Sequence, residues 1–106
     1  MEEKNINEIN FEKEVIKEQK PVLVDFWATW CYPCKIQAPI IEEVEKEIKG
    51  QAKIIKIEID ENPALATKYS IMSIPTLAIF KDGKIVWQGV GIHQKKVILE
   101  QLKRNI

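Results

Sequence analysis

The stretch Pro21-Val22-Leu23-Val24-Asp25-Phe26-Trp27-Ala28-Thr29-Trp30-Cys31-Tyr32-Pro33-Cys34-Lys35 decides the fold. Its first eight residues are apolar on both faces apart from Asp25. That is too apolar for a hairpin strand with one side in water, so they read as a central strand covered on both sides. Its last six residues hold both cysteines of the chain, two residues apart. Beyond them Ile36, Ile40, Ile41, Val44 and Ile48 recur at helical spacing, which predicts a helix from about Cys34 to Ile48, interrupted by Pro39 and stopped at Gly50. A Cys-x-x-Cys between a buried strand and a helix has the setting of a redox pair.

The chemistry explains the spacing. At a first helical turn, the Cys31 side chain faces unpaired backbone N–H groups and the positive end of the helix dipole, and both favour a thiolate. Its pKa is then expected to fall from about 8.5 into the roughly 3.5–7.5 range of activated cysteines. Cys34, almost one turn later, lies within reach of Cys31 and points further inward, which suits it to resolve a mixed disulfide formed by Cys31. Pro33 belongs in the first turn, where a missing N–H costs little. Other uses of the pair stay open. A structural disulfide closing so short a loop removes little unfolded-state entropy. A closed zinc site needs four ligands, whereas this chain offers only Cys31, Cys34 and His93 as soft or borderline ones. A dimer sharing a metal or cluster between two such pairs is a further alternative.

Asp25 stands out because a carboxylate inside a buried strand is costly unless it is paired or protonated. Two readings are equally open from the residues. Asp25 is a general base with a raised pKa that accepts the Cys34 proton, or it hydrogen-bonds backbone at the strand's end. Lys56 is a candidate charge partner if its strand lies beside that of Asp25, and a solvated surface lysine otherwise.

Working outward, Lys4–Ile6 carries a weak edge-strand signal, and Ile9, Phe11, Val15 and Ile16 predict a first helix from about Glu8 to Glu18. After the second helix, Ala52–Ile59 is a β-branched inner strand. Asp60-Glu61-Asn62-Pro63 is a turn with a helix-start signal, and Ala64–Tyr69 a short third helix. Asp82-Gly83 between two apolar runs signals a hairpin, Thr76–Phe80 pairing with Ile85–Val90. Gln94–Arg104 is a last helix with Val97, Ile98 and Leu102 inward. Trp87 reads as packing, and His93, with no visible partner, as a capping or surface residue. The order of elements gives an α/β sandwich with a mixed sheet.

With 106 residues the chain reads as one domain, 1–106, able to bury a core without metal or disulfide staples. Sixteen basic and sixteen acidic residues give a net charge of +0, and the signs alternate, so nothing points to nucleic acid. The polar Met1-Glu2-Glu3-Lys4-Asn5 lacks an apolar signal-peptide core, and no apolar run approaches the roughly 20 residues of a membrane span. A cytoplasmic protein without membrane attachment is expected.

Across nearly its whole length the chain resembles the thioredoxin family. The resemblance is carried by Val24-Asp25-Phe26-Trp27-Ala28, Trp30-Cys31 through Cys34-Lys35, Ala38-Pro39, Ile59-Asp60, Asn62-Pro63, Ser73-Ile74-Pro75-Thr76, Phe80-Lys81-Asp82-Gly83 and Val90-Gly91. It implies the thioredoxin fold, a central mixed five-stranded sheet flanked by four helices, and a monomeric protein disulfide reductase. The resemblance makes Cys31 the nucleophile, Cys34 the resolving cysteine, Asp25 the proton-transfer carboxylate and Lys56 the lysine beside it. Thioredoxin is itself a type case for the lowered thiol pKa invoked above. Pro75 matches the family's cis-proline, and Trp30, Tyr32, Pro33, Ile74, Pro75, Val90, Gly91 and Ile92 its substrate-facing rim. The implied partners are disulfide-containing client proteins and a thioredoxin reductase or similar electron donor. No cofactor or metal is implied beyond the cysteine pair. An oxidase or isomerase of the same fold, and a non-catalytic binding module, are the alternative activities. Tyr32-Pro33 departs from the family's usual Gly-Pro, the position at which related oxidoreductases differ in redox poise. The segment before Phe11 is short for the family and leaves room for only an abbreviated first strand.

Overall fold

The computed structural model describes residues 4–5 and 7–106. Its strands are β1 (Lys4–Asn5), β2 (Val22–Trp27), β3 (Lys53–Glu58), β4 (Thr76–Lys81) and β5 (Lys84–Val90). They form one sheet in the order β1-β3-β2-β4-β5. β2 lies parallel to β3 and antiparallel to β4, and β4 antiparallel to β5. Four of these are full strands. The fifth is described only at Lys4 and Asn5, opposite Ile55 and Lys56, so among the described residues the expected five-stranded sheet is four strands with a short edge pairing. Ile6, expected in that edge strand, lies outside the described residues.

The helices are α1 (Glu8–Phe11), which continues as a π-helical turn over Glu12–Ile16, α2 (Tyr32–Ile48), α3 (Pro63–Lys68) and α4 (Lys95–Lys103). The widened turn, in which Lys17 N–H donates to Glu12 O, changes the facing of the first helix. Phe11 and Val15 are buried, whereas Ile9, expected inward, is exposed.

Side chains alternate across a strand, and in β2 that alternation divides the core in two. Val22, Val24 and Phe26 join Phe11, Val15, Ile55, Ile57, Leu65, Ala78 and Phe80 on the α1/α3 side. Leu23 joins Ile41, Val44, Ile48, Ile54, Leu77, Ile79, Ile98, Leu99 and Leu102 on the α2/α4 side. By the same alternation Asp25 belongs to the α2/α4 face. The inward stripe of α2 is Cys34, Gln37, Ile41, Val44 and Ile48, while the expected Ile36 is exposed. On α4 Leu99 replaces Val97 as the inward residue. A 3.6-residue period leaves the edges of an apolar stripe undefined by a residue or so, and packing against the neighbouring elements decides which residues there face inward.

The β4–β5 loop is the two residues Asp82 and Gly83, at φ 53° and 79°. Paired left-handed residues twist the hairpin in the same sense as its strands. A Cβ on Gly83 would also meet Ile16 Cγ2 at 3.3 Å. Gly83→Ala is therefore expected to cost about 1 kcal/mol or more, seen as a lowered denaturation midpoint with unchanged slope. Lys95 ties α4 to α2, its Nζ standing 2.6 Å from Glu47 Oε2 and 3.3 Å from Glu43 Oε1. The hydrogen bond from Lys95 holds the Glu47 carboxyl below the usual carboxylate range, and its bond to Glu47 raises Lys95. A lowered carboxyl stabilises the fold above its unfolded pKa and loses that contribution as pH falls through the folded one. A raised lysine contributes below its unfolded pKa and loses it as pH rises through the folded one. Lys95→Met is thus expected to lower the melting temperature slightly near pH 7 and to match the parent in strong acid. The difference shrinks in high salt, because the pair is exposed.

Candidate active site

Cys31 and Cys34 sit where β2 hands over to α2, and a disulfide joins them, with Cα atoms 5.3 Å apart. The loop from Trp27 turns at Ala28, whose carbonyl accepts the Cys31 N–H at 3.2 Å. Cys31 is the N-cap of α2. Its backbone is extended, and its Sγ accepts the Cys34 N–H at 3.2 Å. The helix begins at Tyr32, two residues before the expected start, because the sulfur itself serves as the capping acceptor and Pro33 brings a pre-set φ to the first turn. Both cysteines are buried, packed with Ala28 and flanked by Trp27, Ile59 and Ile74.

Around this buried pair the surface is apolar. Trp30 is 66% exposed, Tyr32 71% and Val90 62%, with Ile92 also in solvent. Pro33 is exposed, Ile74 and Gly91 are half-buried and Pro75 is buried. The Ile74–Pro75 peptide is cis. Gly91 N–H donates to Pro75 O at 2.8 Å, which joins two segments of the rim that are distant in sequence. The indole N–H of Trp30 donates to Asp60 Oδ2 at 2.7 Å, fixing the ring's edge and leaving its face open.

Within β2, Asp25 is buried and stands opposite Lys56 in the β2–β3 register. The Lys56 ammonium lies 4.8 Å from the centroid of the Trp27 ring, a cation–π contact. Lys56 and Cys34 both line a pocket of about 90 Å³ together with Trp27, Ala28, Thr29, Lys35 and Ala38. Trp27, Thr29 and Lys56 also border a larger polar cleft of about 340 Å³ that takes in Glu58, Glu61 and Asn62. Among the described residues no three His, Cys, Asp or Glu side chains converge as a metal site would require. No helix of the described residues is long and apolar enough to cross a membrane.

Several residues of the site escaped the sequence reading. Ile36, two residues after Cys34, and Met72, two before Ile74, are further exposed apolar side chains, at 40% and 91% exposure. Asp60 orients Trp30. Gln37, fully buried, holds the backbone of His93, and His93 is half-buried against Trp87 where a surface or capping role was expected. A polar residue three positions after Cys34, in the otherwise apolar inward stripe of an amphipathic helix, was the available signal for Gln37.

Comparison with known proteins agrees with this geometry. The family model described as thioredoxin matches residues 2–104. The chain is 48% identical over 102 residues to a thioredoxin of Rickettsia bellii, covering 96% of this chain and 97% of that one. It is 46% identical over 101 residues to a thioredoxin of Staphylococcus aureus, covering 95% of each. It is 43% identical over 101 residues to thioredoxin 1 of Synechococcus elongatus, covering 95% of this chain and 94% of that one.

Proposed function

The chain belongs to the thioredoxin family, and from that premise we propose how its residues divide the work of a cytoplasmic protein disulfide reductase. Thiol–disulfide exchange is its chemistry, disulfide-bearing proteins are its clients, and a reductase restores the dithiol. The observation that carries the assignment is Cys31 Sγ at the N-cap of α2, accepting a backbone N–H at the positive end of the helix. That environment favours thiolate over thiol in the reduced protein.

The Cys31 thiolate attacks one sulfur of a client disulfide. The client S–S bond breaks, a Cys31–client bond forms, and the departing client sulfur leaves as a thiolate that takes up a proton. Cys34 then gives up its own proton and attacks Cys31 Sγ. The mixed disulfide breaks, Cys31–Cys34 forms, and the second client sulfur leaves. Two electrons pass from the dithiol to the client. Asp25, in register with Lys56, which itself shares a pocket with Cys34, takes the Cys34 proton and returns it to solvent. Lys56 sets the charge balance of that carboxylate.

The rim binds the client. Trp30, Tyr32, Pro33, Val90 and Ile92 offer apolar contact around Cys31, and the backbone of Ile74, next to Pro75, pairs with an extended client segment. Tyr32 adds an aromatic ring and a hydroxyl where family members usually have glycine, and it tunes both client choice and redox poise. A cytoplasmic location suits a dithiol that must rest reduced.

Incubated with insulin as a protein disulfide, Cys34→Ser is expected to accumulate a covalent adduct through Cys31, visible by mass spectrometry without reductant, while Cys31→Ser gives none. The reverse pattern would exchange the two roles. Asp25→Asn is expected to slow the resolving step at pH 7 by about tenfold or more, with the rate recovering toward pH 9 as the Cys34 thiol ionises unaided. A rate deficit that does not change with pH would reduce Asp25 to a structural role.

A further inference from the structure

Gln37 has no place in the exchange chemistry, yet it is fully buried on the inward face of α2, one turn after Cys34. A buried carboxamide is costly unless its donor and acceptor are both used. Here Nε2 donates to the carbonyl of His93 at 3.0 Å, and Oε1 accepts the His93 N–H at 2.7 Å. Gln37 thus pairs with both backbone groups of one residue, 56 positions away, much as a neighbouring strand would. Of the side chains, only a carboxamide carries a donor and an acceptor side by side in this way.

His93 is fastened from two further directions. Its ring stands edge-to-face with Trp87, centroids 5.3 Å apart at 86°. Its Nδ1 lies 2.9 Å from Gly91 O, and since a carbonyl only accepts, that nitrogen carries the proton. Gly89 leaves the space the ring occupies, as a Cβ there would stand 2.6 Å from His93 Nε2. Gly91 N–H in turn donates to Pro75 O. A continuous bonded path therefore runs from Pro75 through Gly91 and His93 to Gln37 on the helix that bears the cysteines. It passes directly behind Val90 and Ile92, the exposed rim residues on either side of Gly91.

We propose that Gln37 and His93 are positioning residues that hold the Val90–Ile92 loop at a fixed height over the cysteine helix and so set affinity for protein clients, apart from the sulfur chemistry. An apolar residue could fill the Gln37 site, but it would leave both His93 backbone groups without their partner and release the loop from α2. The inference rests on the rim reading above and concerns binding alone.

The test compares two disulfides, insulin, which must lie across the rim, and 5,5′-dithiobis(2-nitrobenzoate), which is small enough to reach Cys31 without it. For Gln37→Met the KM for insulin is expected to rise about tenfold with kcat little changed. Reaction with the small disulfide and the reduction potential stay at the parent values. His93→Phe, which retains a ring against Trp87 but loses the bond to Gly91 O, is expected to raise the same KM by about threefold, and it decides the matter should Gln37→Met not fold. An unchanged insulin KM overturns the proposal. So does a parallel loss toward both substrates, which marks a general structural defect. If the parent protein reduces the small disulfide but not insulin, it is the client-binding reading of the rim that fails instead.

Discussion

The Cys34 N–H bonded to Cys31 Sγ is the contact on which the site depends. It makes the sulfur part of a helix cap, so the same atom that ends the β2–α2 turn is the one placed at the positive end of α2. For that to hold, the end of β2 must be still. β2 is the middle of the sheet, hydrogen-bonded on both edges and covered on both faces, and Val22, Leu23, Val24 and Phe26 are wholly removed from solvent. The two cores on either side of β2 fix the strand, the strand fixes Ala28, and the Ala28 carbonyl fixes Cys31.

The polar residues of the interior follow the same logic. Asp25, Gln37, Glu58, Asn62 and Thr76 are the buried polar residues among those described. Asp25 lies in register with Lys56, and Gln37 holds the loop beside the rim. Asn62 Nδ2 donates to Glu58 O and Asn62 Oδ1 accepts the Glu8 N–H, while Glu58 Oε1 accepts the Glu61 N–H. These groups shape the turn before α3 and one wall of the polar cleft that also meets Lys56. Burying such groups carries a penalty that good hydrogen bonding offsets. They cluster around the cysteine end, and the two main core clusters are apolar.

Much of this was legible from residue types and their spacing. The doubly apolar run of β2, the Cys-x-x-Cys after it and the Asp82-Gly83 hairpin each rest on a local rule with few competitors. Facing on the helices was less legible. Ile9, Ile36 and Val97, expected inward, face out, while Val15 and Ile41 lie inward as expected and Gln37 and Leu99 take inward places. A 3.6-residue period does not define the edges of an apolar stripe, and a π-helical turn in the first helix shifts the phase further.

Residue types and their spacing are enough to give the elements, the chemistry expected of the cysteine pair and the need to account for a buried Asp25, because those depend on local propensity and on the cost of burying charge. What meets that machinery is set by packing between elements distant along the chain. Lys56 reaches the level of Asp25 through strand register, Gly91 meets Pro75 through sheet closure, and Gln37 meets His93 across 56 residues. Such pairs have no signature along the chain. The last of them is made by the packing of α2 against the β5–α4 connection, and a hydrogen bond of about 3 Å is satisfied or lost on differences far smaller than any sequence period resolves.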